Sequence, residues 1–295
     1  MSLPPANWDC FIDDACVLCL LFEEGEGDTA HDLTRFRNDG TIYGPTWVGT
    51  PYGRGLEFDG VDDHVIVPST PVLALGDEMS WEFIFKFTEN GLRQGLLVKG
   101  VWSVDNSDYA LPFRTDRRLR LWLSDGTTGE ERDSNSALSP DRWYHVCVVF
   151  RRSDLSVEFW INGELDSSKT FTINPQSITD FVDICRTGGW FFNGSMSLVR
   201  IYNRALTPEE IRALYQNYRY GLACYKLIGQ VINPLISDTY ERVELIRKIQ
   251  TNRWKIEDNQ LIIFDDDGVT PLKIFNLKDK YGNPSEVNVY EREPV

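Results

Sequence analysis

Histidine is scarce in this sequence: His31, His64 and His145 are the only three in 295 residues. No serine or cysteine carries the flanking pattern of an activated nucleophile, so a catalytic triad would have to assemble from distant positions. Cysteine is sparse too, at positions 10, 16, 19, 147, 185 and 224. Only Cys16 and Cys19 are close, and the paired spacing of a structural zinc site is missing. Residues three apart on a strand point to opposite faces, which predicts buried free thiols; a disulfide formed after release from the cell is the alternative. Basic charge is also lacking: 30 Lys and Arg face 45 Asp and Glu, a formal charge of −15. That balance excludes a nucleic-acid backbone as partner, because such contacts need clustered cations, and it disfavours an anionic membrane surface. Long apolar runs are absent as well. Ala15 to Phe22 has the length of a strand, well short of a membrane span, so no membrane insertion is expected. Met1 to Trp8 has neither a basic start nor a following apolar stretch, which predicts synthesis in a cytoplasm without a signal peptide. Release by lysis stays open.

What is present is apolar and aromatic: 42% hydrophobic and 13% aromatic residues, a surplus that suits strands. The length allows one large domain and a small one. Trp81, Phe83, Phe85 and Phe87 alternate with Ser80, Glu82, Ile84 and Lys86, the period of a half-buried strand. Residues 143–150 are continuously apolar, as in a strand covered on both faces, and His145 within them reads as a hydrogen-bonded core residue. Val157, Phe159 and Ile161 alternate toward Asn162-Gly163, a strong hairpin signal. Further strands are expected at Leu119 to Leu123 and Ser195 to Tyr202. Recurrent short strands without intervening helices predict an antiparallel β-sandwich or jelly roll.

The first helix signal comes at Thr207-Pro208-Glu209-Glu210, a capping box with proline at the first helical position. Ile211, Leu214 and Tyr215 give it an apolar stripe, so this short helix should close the sandwich. Residues 221–237 read as a mixed connector. A second helix is expected from Asp238 to about Gln250. Residues 252–295 read as a small β unit, with strands around Trp254 and Ile256, Leu261 to Phe264, Leu272 to Leu277, and Val287 to Tyr290. The expected organisation is an N-terminal extension (1–14), a sandwich (15–217), a connector with helix (218–251) and a small β assembly or anchoring module (252–295). About 45 residues make a small independent core, so the last piece should lean on the sandwich, on copies of itself or on a larger assembly.

Asp32-Leu-Thr-Arg-Phe-Arg-Asn38-Asp-Gly40 and Gly55-Leu-Glu-Phe58-Asp59-Gly60-Val-Asp62-Asp63-His-Val65 resemble the laminin-G-like/concanavalin A-like family. The match runs on through Trp143-Tyr-His145-Val and Phe159-Trp-Ile-Asn162-Gly163. It closes with Phe192-Asn-Gly194 to Val199-Arg200-Ile-Tyr202-Asn203-Arg204 and the helix start, covering roughly 15–217. The resemblance implies a concanavalin A-like jelly roll of two facing sheets, used mostly for binding glycans or proteins. It also implies calcium near the sandwich edge, held by Asp32 and Asn38 with carbonyls near Gly194. Ser197 departs from the family, where an aspartate is usual. More faintly, Asn252-Arg-Trp254-Lys-Ile256, Asp265-Asp-Asp-Gly268, Pro271-Leu, Asn283-Pro284 and Glu291 to Val295 resemble a C-terminal module of tailed-bacteriophage structural proteins, which implies a virion component.

Glycoside hydrolysis would need two carboxylates about 5–9 Å apart. Glu78 and Glu82 could share a face, but they read as a solvated strand edge. Asp265 to Gly268 lacks the alternating spacing of an EF-hand loop and reads as a polar turn. Sugar stacking would use loop aromatics; Trp102, Trp190 and Phe191 are the candidates, Trp190 following Gly188-Gly189. The expected function is a non-catalytic virion structural protein, on the virion surface. It would display an adhesion or carbohydrate-binding module, oligomerised or anchored through its C-terminal region. Its expected partners are other virion proteins, copies of itself as a homo-oligomer, and host-surface or environmental glycans. The alternatives are a purely structural decoration or fibre component, or a glycan hydrolase on the same fold.

Overall fold

Met79, Trp81, Phe83, Phe85 and Phe87 all leave the Glu78–Phe87 strand on one side and enter the main core. On the neighbouring Trp143–Arg151 strand, Tyr144, Val146, Val148 and Phe150 do the same. The computed structural model describes residues 13–101, 103, 107–218, 254–257, 260–264, 271–278 and 291–294. They fall into two compact units, one within Ile12–Leu222 and the other within Ala223–Val295.

The first unit is a jelly-roll sandwich of two antiparallel sheets. One sheet runs Glu164–Thr170, Ser156–Ile161, Trp143–Arg151, Glu78–Phe87, Asn193–Tyr202, Gly53–Asp59, Thr46–Thr50, with Cys16–Leu20 also paired to Asn193–Tyr202. The other runs Gly129–Asp133, Arg120–Ser124, Ser107–Phe113, Gln94–Gly100, Val182–Ile184, His64–Val67, Gly40–Tyr43, Thr29–Ala30. Between the sheets, Trp81 packs 4.8 Å from Tyr109 and Phe87 4.5 Å from Phe113, centroid to centroid. Each such ring contributes roughly 1.5–3 kcal/mol on burial, so the interlayer is the main source of stability.

The helix over 208–218 covers the outer face of the first sheet. Its capping box forms as the sequence predicts: Thr207 Oγ1 accepts from the Glu210 amide at 3.2 Å, and Glu210 Oε2 accepts from the Thr207 amide at 2.8 Å. Ile211, Leu214 and Tyr218 are buried. Tyr215 and Tyr218 lie over His145, each 5.9 Å from its ring. The Asn162-Gly163 turn makes room for this packing. Gly163 has φ +78° and a side chain there would strike Tyr215, so both conformation and space require glycine. The 143–150 run is therefore apolar throughout because one of its faces meets the core and the other the helix.

That cover changes the reading of Glu82. It faces outward from its strand, yet it is 1% exposed rather than a solvated edge. Its carboxylate accepts from Arg200 Nη1 at 3.2 Å and Tyr202 Oη at 3.3 Å, and meets His145 Nε2 at 3.1 Å. Burial alone would push the Glu82 carboxyl up; Arg200 and His145 outweigh it and hold the group below its usual range. Arg200 Nε also donates to Cys19 Sγ at 3.3 Å. Cys16 and Cys19 do not diverge as plain alternation predicts. A bulge between Cys16 and Leu18 sets them opposite Tyr202 and Arg200, on one face, and the Cys16 thiol donates to the Leu18 carbonyl at 3.4 Å. Cys16, Cys19, Cys147 and Cys185 are free and buried.

Within the second unit, Trp254–Glu257, Gln260–Phe264, Pro271–Lys278 and Glu291–Pro294 pair in that order as an antiparallel meander. The last strand lies just beyond the expected Val287 to Tyr290, which is outside the described residues, as are the expected helix at 238–250 and the 265–268 turn.

Removing one partner of a buried ion pair strands the other's charge, which costs about 3–5 kcal/mol. Glu82→Gln and Arg200→Met are each expected to lower unfolding free energy by about that amount in urea titrations followed by tryptophan fluorescence. The double variant Glu82→Leu/Arg200→Met should lose less than the sum of the two. A loss under about 1 kcal/mol in both single variants would contradict this account.

Candidate functional site

One end of the sandwich is built by the turn that carries the chain from Gly53–Asp59 in one sheet to His64–Val67 in the other. Phe58 anchors it from inside the core. Asp59 Oδ1 accepts from the Val61 amide at 2.8 Å, and Asp63 Oδ2 accepts from the Asp59 amide at 2.9 Å. Gly60 has φ +78° with Asn193 close against it. The turn thereby gathers Asp59, Asp62 and Asp63, whose carboxylate oxygens lie within 4.8 Å of one another; Asp59 and Asp62 are exposed, Asp63 buried. Burial pushes the Asp63 carboxyl up, partly offset by the Asp59 amide.

Beside the carboxylates stands an aromatic group. Tyr43 and His64 are directly opposite in register and project from the outer face of the second sheet, since Ile42 and Val65 point into the core. Their rings stack at 4.9 Å and 14°, with Tyr43 46% exposed. His64 Nδ1 donates to the Asp62 carbonyl at 2.7 Å, which fixes the ring and leaves Nε2 to act on a ligand. Phe191 lies 6.3 Å from His64. It comes from the small hairpin of Arg186–Thr187 and Trp190–Phe191, turned by Gly188-Gly189. The Arg93 guanidinium sits 4.9 Å from the Trp190 ring. Val61 and Leu92 are exposed at the adjoining loop tips.

Beneath these groups, Asp183 is 2% exposed. Its Oδ2 accepts from Arg186 Nε, while its Oδ1 has no protein partner. Burial pushes its carboxyl up to about 6, with Arg186 and His64 pulling the other way.

Trp190 and Phe191 thus lie at this end, half-buried. Trp102 lies outside the described residues. Asp32 and Asn38 are in the first loop and do not fit a calcium ion there. Asp32 is fully buried. Its Oδ1 accepts from the Cys19 and Thr34 amides, and its Oδ2 from Thr34 Oγ1 and the Asn38 amide, at 2.7–3.0 Å. A carboxylate offers about four lone-pair sites, and all are taken. The Asn38 side chain donates to the Val17 carbonyl. Ser197 is engaged by the Arg54 carbonyl and Thr50. The Asp59, Asp62 and Asp63 oxygens are the hard donors that suit a cation such as calcium. Glu78 accepts from the Ala205 amide. Glu82, its would-be partner, is buried and held by Arg200, His145 and Tyr202, so the two do not form an open carboxylate pair of the kind glycoside hydrolysis needs.

Sequence reasoning missed Tyr43, His64, the three turn aspartates and Asp183 as a group. Strand alternation marks Tyr43 as outward, but only the register places His64 opposite it.

The sequence profile of the Concanavalin A-like lectin/glucanases superfamily matches residues 59–212, just over half of the chain. Among solved structures, botulinum neurotoxin type C, whose route into cells depends on two ganglioside molecules, shares the fold at TM-score 0.56 and 13% identity, over 71% of this chain and 52% of that one. The binding domain of Paraclostridial Mosquitocidal Protein 1 matches at TM-score 0.57 and 16% identity, over 70% and 52%. The binding domain of botulinum neurotoxin DC, solved with rat synaptotagmin II, matches at 0.55 and 15%, over 70% and 52%. The chain spans about half the length of these structures, and at such identities the likeness is one of fold.

Because the Asp183 pKa is raised above its unfolded value of about 3.9, the folded state binds more protons than the unfolded one between about pH 4 and 6. Stability therefore falls as pH rises through that window. Asp108, pushed up to about 6, and Glu23, to about 7, both by burial, act with the same sign. Thermal melts at about pH 5 and about pH 7.5 should show a higher Tm at the lower pH, and Asp183→Asn should shrink the difference. An unchanged difference would mean that Asp183 does not titrate there.

Proposed function

The chain belongs to the concanavalin A-like lectin/glucanases superfamily, and from that footing we propose that it is a non-catalytic adhesion module that contacts glycans through the Tyr43, His64 and Phe191 end of its sandwich. The observation that carries this is the exposed Tyr43–His64 stack beside three clustered carboxylates. A flat ring receives the C–H face of a sugar, and adjacent carboxylates accept strong hydrogen bonds from its hydroxyls. The match of residues 59–212 to the concanavalin A-like lectin/glucanases superfamily is consistent with this use of the fold.

A hydrolytic role has less to support it. Glu82, the better placed carboxylate of the one sequence-predicted pair, is consumed by Arg200, His145 and Tyr202 under the helix.

The setting is proposed to be a virion surface. The support is the resemblance of residues 252–295 to a module of tailed-bacteriophage structural proteins. In this reading the C-terminal region anchors the protein to other virion proteins or joins copies into a homo-oligomer, and the sandwich faces outward.

On a broad panel of immobilised oligosaccharides the full chain should retain at least one glycan class. Tyr43→Ala and Phe191→Ala should each weaken that binding about tenfold or more, equivalent to about 1.4 kcal/mol, with little change in Tm. No reducing ends should appear on prolonged incubation. Release of reducing ends would replace this reading with the hydrolase, and silence across the panel with retained particle binding would favour a purely structural decoration or fibre component.

Imaging of labelled particles from the source of this protein should place the sandwich on the outside and show how many copies associate. Particles that never contain the chain would refute the virion assignment.

A further inference from the structure

The charges at the aromatic end bear on which glycans it takes. Asp59 and Asp62 are exposed beside the Tyr43–His64 stack, with Asp63 behind them. The cations in contact with the groups already described are Arg186 and Arg93. Arg186 is committed to Asp183, and Arg93 lies against the Trp190 ring. Setting Arg186 against Asp183 and Arg93 against one of the three turn aspartates leaves these groups net negative, on a chain that is itself strongly acidic.

Resting on the reading of this end as the glycan site, we infer that it discriminates by charge, accepting uncharged, hydroxyl-rich glycans and rejecting those that carry a carboxylate, such as sialylated chains. The clustered carboxylate oxygens of Asp59, Asp62 and Asp63 have lone pairs beyond those that the turn amides fill, and these call for donors. A neutral sugar brings hydroxyl donors to them, whereas a sugar carboxylate brings another acceptor and a like charge. Each close like-charge contact in water disfavours binding by roughly fivefold, so two such contacts exceed tenfold. Salt screens exposed charges, and the discrimination falls as ionic strength rises.

The test uses the full chain with matched pairs of oligosaccharides, each in neutral and sialylated form, in chelator and at low and high salt. The neutral member should bind about tenfold more tightly at low salt, and the gap should narrow at high salt. Asp59→Asn and Asp62→Asn replace exposed side chains with others of the same shape, so their melting temperatures should match the parent. Each should narrow the gap about threefold or more. Equal or tighter binding of the sialylated member, or a gap that neither substitution changes, overturns the charge selection while leaving the site in place. Binding of neither member of any pair overturns it together with the glycan reading. A preference that reverses when calcium replaces the chelator also overturns it, since the aspartates would then be serving a cation.

Discussion

The central constraint on this molecule is that its principal sheet is covered on both faces. A sheet with one solvated face can leave its outward charges in water. Here the helix over 208–218 denies that option to the strands beneath it. Glu82 is therefore held in a complete set of partners drawn from the Trp143–Arg151 and Asn193–Tyr202 strands on either side of its own. An ion cluster of this kind is poor evidence of added stability. It does specify arrangement, because a shift in register of either neighbouring strand would leave a charge buried without its counterpart.

The same cover bears on where the protein can act. The carboxylate and imidazole that a catalytic reading would reach for first, Glu82 and His145, are both sealed away and engaged with each other. Chemistry that is open to solvent gathers instead where the chain passes between sheets, at the 59–63 turn and the 186–191 hairpin. Those segments are held by the rigid layers on either side, a common way for a stable scaffold to present binding groups on loops.

Much of the fold was legible in the sequence because it depends on local rules. The alternation around Trp81, the Asn162-Gly163 turn and the capping box at Thr207 each describe what neighbouring residues do to one another. Glu82 was misread for the opposite reason. What buries it arrives some 125 residues later in the chain, and no local pattern marks an outward glutamate as covered. Cys16 and Cys19 were misread because one bulge reverses the facing that strict alternation assigns. At the candidate site, Trp190 and Phe191 were visible as loop aromatics beside glycines. Tyr43 and His64 become a pair only through the register of two strands far apart in sequence, and Asp32 looked like a ligand until its hydrogen bonds could be counted.

An exposed aromatic stack asks for a physical reason, since water gains nothing from it. Burying Tyr43 against a second protein would serve, but a stable protein interface needs on the order of 1,000 Å² of complementary surface, mostly without unpaired charge at its centre. The centre here holds Asp59 and Asp62 in the open beside the rings. A protein partner would have to strip water from both carboxylates and supply cations to match. A sugar needs neither, because its hydroxyls replace the lost water one for one while its apolar face covers the ring. The combination of flat ring and exposed carboxylate is costly for a dry interface and well suited to a small, hydroxylated ligand, which supports the proposed glycan contact over a neighbouring subunit at this end of the sandwich.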